Sequence, residues 1–261
     1  MAPMRRVVVT GVGMVSALGP GAPEAWAALL AGASGARAVT LEGLGAIPGF
    51  PADDADAARE RFGRREAHRM DRAGRLAAVA AAMALEDAGA LDLPPERIGC
   101  CVGSIHGGAD TVLEAHRAHL QRGADRVSPL SVPLGLTNSP VAGTARVLGL
   151  RGPSAAPSTA CAAGSDAIAQ AISLIRDGRA DAMVAGGADA GLSAVVAAGY
   201  RRMGALSPGA DGAAAASRPF DVARDGFVIG EGAGMLVLEE RDRALARGAT
   251  VLAEAAGWGA S

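Results

Sequence analysis

Cys161 is the residue of this 261-residue chain best placed to do covalent chemistry. It lies in Pro157-Ser-Thr-Ala-Cys-Ala-Ala-Gly164, between a short β-prone stretch and a long apolar run of helical composition. A thiol at the first turn of a helix sits beside unpaired backbone N–H groups and the positive end of the helix dipole. Such a cysteine tends to a lowered pKa, so more of it is the nucleophilic thiolate. The same N–H groups can receive the oxyanion that forms when an acyl group is attacked. Position alone leaves a second reading open, because free cysteine is also among the most buried residue types. Cys100 and Cys101, in Ile98-Gly-Cys-Cys-Val102, read as packing inside a buried strand. With no Cys-x-x-Cys spacing, the three cysteines suggest neither a disulfide framework nor a zinc site.

The elements that must hold Cys161 alternate between strand and helix. Arg5–Thr10 reads as a buried strand closed by Gly11 and Gly13, and Pro23–Ala31 as a short helix stopped by Gly32. Thr40–Arg64 is Gly/Pro-rich and then charged, which suggests a surface excursion. Glu66–Ala88 carries Met70, Leu76, Val79, Met83 and Leu85 at helical spacing, with Gly89 as its stop. Arg97–Val102 is the next strand, Asp110–Gln121 and Leu134–Leu148 are helical, and Ser154–Thr159 is short and extended. Cys161–Asp177 is apolar nearly all round, as expected of a central helix buried between layers. Asp181–Gly187 is an apolar strand, and Pro208–Ala216 the best candidate for a mobile loop. A helix at Arg241–Arg247 and a strand at Thr250–Gly257 complete the pattern. Strands alternating with helices indicate an α/β fold with a mostly parallel sheet.

Composition narrows the function. Half the residues are hydrophobic but only 3% are aromatic, and glycine numbers 37, so the core must be built from Ala, Val and Leu with close backbone approaches. A net charge of −2 argues against a general nucleic-acid binder. There is no lysine, so the 25 basic residues are all arginine. The N-terminus has no signal-peptide pattern, no apolar run reaches the length of a membrane span, and a reducing cytoplasm suits a working free thiol. Asp221, Asp225 and Glu231 could in principle gather a metal, but Arg218 and Arg224 beside them favour structural ion pairs, and no metal is expected.

Three blocks in order point to a family: Arg5-Arg-Val-Val-Val-Thr-Gly-Val-Gly-Met-Val-Ser16, Thr159-Ala-Cys161-Ala-Ala-Gly164, and Ser217-Arg-Pro-Phe-Asp through Gly234. With Asp181-Ala-Met-Val-Ala-Gly-Gly187 between the last two, the chain resembles the elongating β-ketoacyl-acyl-carrier-protein synthases of the thiolase-like superfamily. The resemblance implies a thiolase-like α/β fold, its first βαβαβαββ half, with a mixed, mostly parallel sheet and a buried central helix. Residues 1–250 would be the N-terminal domain and 251–261 the start of a C-terminal half that is largely missing. The resemblance also implies that Cys161 takes an acyl chain as a thioester, its backbone N–H supplying half of the oxyanion hole, before decarboxylative condensation with a malonyl thioester. Its partners would be an acyl carrier protein, whose phosphopantetheine arm carries the substrates, and a second copy or a chain-length-factor-like subunit. No separate cofactor is implied. His106, in Gly103-Ser-Ile-His-Gly-Gly108, falls where an aliphatic residue commonly lines the acyl pocket; a hydrogen-bonded loop histidine is the equal alternative. Tyr200 matches an aromatic position at the pocket entrance. Arg65 and Arg69, with Arg126, match a patch that docks the acidic carrier; as bare residues they read more often as a solvated helix face.

The chain also departs from the family. The catalytic pair of histidines and the lysine that the resemblance calls for have no counterparts here: His68, His106, His116 and His119 all precede Cys161. The isolated chain is therefore expected to be inactive in condensation and poorly soluble without a second half. A non-catalytic truncated or split synthase acting as an interaction subunit is the alternative. An NAD(P)-binding oxidoreductase is a remote one, because Gly-x-Gly-x-x-Ser after the first strand lacks the third glycine of the dinucleotide fingerprint.

Overall fold

The computed structural model describes residues 5–52 and 57–260. Met1–Met4, residues 53–56 of the expected surface excursion, and Ser261 lie outside the described residues. The strands are β1 (Val7–Ser16), β2 (Gly19–Pro20), β3 (Arg37–Leu41), β4 (Gly45–Phe50), β5 (Ile98–Gly103), β6 (Ser154–Ala155), β7 (Ala182–Ala190), β8 (Ile229–Glu240) and β9 (Ala253–Glu254). The α-helices are α1 (Ala22–Leu30), α2 (Ala57–Phe62), α3 (Arg64–His68), α4 (Arg72–Ala88), α5 (Ala109–Arg122), α6 (Ser131–Leu134), α7 (Ser139–Leu148), α8 (Ala163–Arg176), α9 (Ala194–Arg202), α10 (Ala213–Ala216) and α11 (Arg241–Ala246).

The chain divides into two compact units: Met1–Met14, Ala55–Asp189 and Ala233–Ser261 in one, Val15–Asp54 and Ala190–Gly232 in the other. In the first, the strands run in the order β1-β8-β7-β5-β6. β5 is parallel to both neighbours, with Cys100 opposite Val184 and Ser154. β9 pairs antiparallel with β1 at Val8 and Val9. Helix α8 buries Ala167, Ala171, Ile172 and Ile175 against Val7, Cys101, Met183 and Leu238. Helix α4 buries an almost unbroken alanine surface. Those alanines allow β1 to come within backbone contact: a Cβ on Gly13 would lie 1.9 Å from the Ala80 carbonyl oxygen, and one on Gly11 2.2 Å from that of Ala84. The two glycines therefore mark a crossing inside the strand, and β1 runs through them to Ser16 where the sequence suggested a stop.

In the second unit, β3 and β4 form an antiparallel hairpin, and β4 lies parallel to the start of β8 with Gly49 opposite Ile229. This corrects the reading of Thr40–Arg64 as a surface excursion, because Ile47 anchors a small core with Ala197 and Ile229. Pro48 and the glycines disguise the strand, as its backbone pairs on both edges. The expected loop at Pro208–Ala216 ends in α10, whose Ala216 is buried.

Other boundaries shift for identifiable reasons. The single helix expected over Glu66–Ala88 is two, because Asp71 caps a new helix by accepting the Gly74 N–H at 3.3 Å. The Ser139 hydroxyl at the head of α7 donates to the same carboxylate at 2.9 Å, so one buried acid caps α4 and ties it to the start of α7. Burial raises the Asp71 pKa, and the Ser139 hydrogen bond opposes the rise. Helix α8 is not buried all round within its unit. Asp166, Gln170, Ser173 and Asp177, spaced as one helical stripe, line an open groove of about 460 Å³ with Trp258.

The first unit is pinned at one end by a buried carboxylate. Asp181, 4% exposed at the entry to β7, meets Arg97 before β5 at 2.8 Å, Arg5 before β1, and Arg243 of α11 at 3.5 Å. Arg5 also donates to the Ile175 and Ala180 carbonyls at 3.0 Å, tying in the end of α8. The Arg97 hydrogen bond, then Arg5 and Arg243, hold the Asp181 carboxyl well below the usual carboxylate range. A folded pKa below the unfolded value of about 4 gives stability that is fully present above the unfolded value and lost as pH falls from it through the folded one. Asp181→Asn is expected to cost about 2–3 kcal/mol in urea melts at pH 7, toward the lower side because the arginines reach water. It should also flatten the acid limb of the stability–pH curve below about pH 4.

Candidate active site

Cys161 sits in a 3₁₀ turn, Ala160–Ala162, that leads into α8, one turn earlier than a place inside the α-helix would be. Ala162 N–H donates to the Thr159 carbonyl at 3.2 Å. The Cys161 thiol is exposed, whereas Cys100 and Cys101 are fully buried. Burial raises both of those thiols, Cys101 to about 11.

The head of α8 is seated on the strand ends beneath it. A Cβ on Gly103 would meet the Ala163 carbonyl oxygen at 2.1 Å, and one on Gly187 would meet Gly164 Cα at 3.1 Å. The head of α8 thus rests on β5 and β7 with no side chain between them. Just beyond Gly103, Ser104 donates its N–H to the Pro157 carbonyl at 3.3 Å, so the loop after β5 grips the approach to Cys161 as well. Asp189 at the end of β7 locks that loop. It accepts from the Ser104 hydroxyl at 3.0 Å and from the Ile105 and His106 N–H groups at 3.0–3.1 Å. His106 Nδ1 lies 3.5 Å from Asp189 in a buried position and makes no hydrogen bond. His106 is thus a loop histidine held by its backbone beside a carboxylate, in the unit that carries Cys161.

Tyr200 lies in the second unit, on α9, where its ring meets Phe227 edge-on with centroids 5.1 Å apart. Arg65 lines a groove of about 530 Å³ with Arg59, Arg64, His68 and Arg75. Arg126 is exposed and lines a second groove, shared with His68, Arg72, Arg75 and Arg122 but also with Asp110 and Glu114. Arg69 is exposed and 3.8 Å from Glu66, which Arg146 also engages. The three arginines therefore divide between a strongly cationic groove, a mixed one, and an ion-paired helix end. Asp221, Asp225 and Glu231 do not converge on a metal position; Arg218 pairs with Asp225 at 3.2 Å, and no metal-binding cluster occurs among the described residues. No helix among them is long and apolar enough to cross a membrane.

The sequence reading missed Asp189 and a second pair near Cys161, in which the Thr159 hydroxyl donates to Asp166. Asp189 follows Gly186-Gly187, and a carboxylate just after a strand's glycines is the one signal that could have drawn attention to it.

Comparison with known proteins gives a consistent result. The family model described as "Beta-ketoacyl synthase, N-terminal domain" matches residues 4–244. The chain is 41% identical over 271 residues to the "3-oxoacyl-[acyl-carrier-protein] synthase 2" of Vibrio cholerae serotype O1, covering 98% of this chain and 63% of that protein. Among solved structures it resembles "The ishigamide ketosynthase/chain length factor", with TM-score 0.83 and 36% identity over 98% of this chain and 63% of the other. It also resembles a type II PKS acyl-carrier protein in complex with its ketosynthase bound to the hexaketide, with TM-score 0.80 and 31% identity over 97% and 62% of the two chains. The chain thus spans somewhat under two thirds of the length of these relatives.

Native alkylation should separate the three thiols. With Cys101 at about 11, only about one thousandth of it is thiolate at pH 8 even before burial blocks the reagent. Brief iodoacetamide treatment at pH 8 followed by peptide mapping is expected to mark Cys161 alone, with Cys100 and Cys101 appearing only in denaturant.

Proposed function

The chain belongs to the β-ketoacyl synthase family through its N-terminal domain, and on that premise we propose that Cys161 is the acyl-accepting nucleophile of a β-ketoacyl-acyl-carrier-protein synthase in fatty acid or polyketide assembly. The observation that carries the reading is an exposed thiol on a tight turn at the head of a buried-faced helix, in a chain whose other thiols are sealed in a strand.

The chemistry follows from that placement. The Cys161 thiolate attacks the thioester carbonyl of an acyl-loaded carrier, and charge passes to the carbonyl oxygen. Backbone N–H groups at the head of α8 are the natural donors to that oxyanion. Collapse breaks the carrier's C–S bond, the carrier leaves as a thiolate that takes up a proton, and the acyl group stays on Cys161. In the second half-reaction a malonyl thioester loses carbon dioxide, and its carbanion attacks the acyl-cysteine and releases the Cys161 thiolate. Polarising the malonyl carbonyl is assigned to the part of the family's length that this chain does not match. Acyl acceptance is assigned to this chain.

The cationic groove of Arg59, Arg64 and Arg65 supports an acidic carrier protein as donor, with Arg69 and Arg126 contributing to steering on a chain of net charge −2. The ketosynthase solved in complex with its acyl-carrier protein supports the same partner. β6, last in the strand order of its unit, supports pairing with a second copy or with a chain-length-factor subunit of the kind in the ishigamide structure. His106 and Tyr200 are proposed as acyl-site residues.

Incubation with an acyl-loaded carrier protein is expected to add one acyl mass to the chain, mapped to Cys161 and absent in Cys161→Ala. Combined Arg65→Glu, Arg69→Glu and Arg126→Glu should slow transfer from the carrier about tenfold while leaving transfer from a small pantetheine thioester unchanged. An acyl adduct that survives Cys161→Ala, or a folded chain that accepts none, would overturn the assignment.

A further inference from the structure

Ala160, immediately before Cys161, has φ +52°, in the left-handed region that a residue bearing a Cβ rarely adopts. Such a conformation persists only where its surroundings hold it, and held strain of this kind gathers at functional turns. Thr159 leads into it at φ −103°, ψ 43°, and Ala162 N–H closes back on the Thr159 carbonyl at 3.2 Å. The brace is a side-chain hydrogen bond. The Thr159 hydroxyl donates to Asp166 Oδ2, reaching over the whole turn from its first residue to the first turn of α8. Asp166 is well suited to that position, since a carboxylate in the first turn is stabilised by the helix dipole and anchored by the helix itself. Cys161 lies between the two ends of the brace.

We propose that Asp166 and Thr159 are positioning residues for Cys161: their hydrogen bond holds Ala160 left-handed and so fixes the thiol at the head of α8. Neither residue takes part in bond making. Without the brace, Ala160 relaxes to negative φ, the turn opens, and the thiol loses its fixed place before α8. The proposal rests on Cys161 being the reactive thiol. A folded chain whose Cys161 resists alkylation would overturn that reading, whereas alkylation indifferent to Thr159 and Asp166 would overturn this one alone.

The test is the rate of iodoacetamide alkylation at Cys161 at pH 7, followed by peptide mass spectrometry on the 261-residue chain. Cys100 and Cys101 serve as internal reporters of unfolding. Thr159→Val and Asp166→Ala are each expected to slow labelling about tenfold, with Cys100 and Cys101 still unlabelled. Because the two act as one brace, the double variant should be no slower than either single one. Thr159→Ser should retain the unaltered rate. Ala160→Gly in the Thr159→Val background should restore most of the rate, since glycine takes the left-handed conformation without penalty. Unchanged rates, additive effects of the two substitutions, or no rescue by glycine would overturn the proposal. If Asp166→Ala exposes Cys100 or Cys101, Asp166→Glu decides in its place: slowed labelling supports the brace and an unchanged rate overturns it.

Discussion

The site depends first on side chains that are not there. The Ala163 carbonyl sits where a Cβ of Gly103 would be, and Gly164 and Gly187 meet backbone to backbone. Helix–sheet packing ordinarily keeps a layer of side chains between backbones. Here the head of α8 comes down directly onto the ends of β5 and β7. Gly186, beside Gly187 on β7, makes a similar close approach to β8, where a Cβ would lie 1.9 Å from the Gly234 carbonyl oxygen. Close approach at the strand ends seats the head of α8, and the turn that precedes it presents Cys161 while the thiols of β5 are sealed.

Charge is handled by the same economy of space. Asp181 and Glu239 are almost wholly buried, and each is met by arginine. Arg247 engages Glu239 and also donates to the Ala88 and Ala90 carbonyls, closing the C-terminal end of α4. Thr10 of β1 gives Glu239 a further hydrogen bond. The buried carboxylates therefore serve as junctions, each joining strands to a helix end that would otherwise leave carbonyls unpaired.

Period and punctuation made the α/β character, α4, α5, α8 and the strands β5 and β7 readable in the sequence. The burial of Cys100 and Cys101 was also readable, because Ile98-Gly-Cys-Cys-Val102 has the composition of an inner strand. What stayed hidden was structure whose cause is tertiary. β4 carries Gly45, Pro48 and Gly49 and looks like a loop, yet its neighbours on both edges satisfy its backbone. Gly11 and Gly13 look like stops but mark where α4 crosses. The polar stripe of α8 was present in the sequence as Asp166, Gln170, Ser173 and Asp177, and its abundant alanine masked it. Local sequence singled out Cys161 as the candidate but left burial as an equal alternative, and the structure places it exposed. The Asp189 lock was not legible, because it joins residues more than eighty positions apart.

Every cation in these junctions is a guanidinium, in a chain without a single ammonium side chain. Arginine keeps its charge beyond any pH at which proteins are handled, whereas lysine begins to lose its own near pH 10. The arginine half of each junction therefore holds its charge on the alkaline side, and only the carboxylates can be titrated away. The same absence leaves no side-chain amine for acetylation or for amine-directed crosslinking, so this surface must be modified and mapped through its carboxylates, its guanidinium groups, and the one exposed thiol.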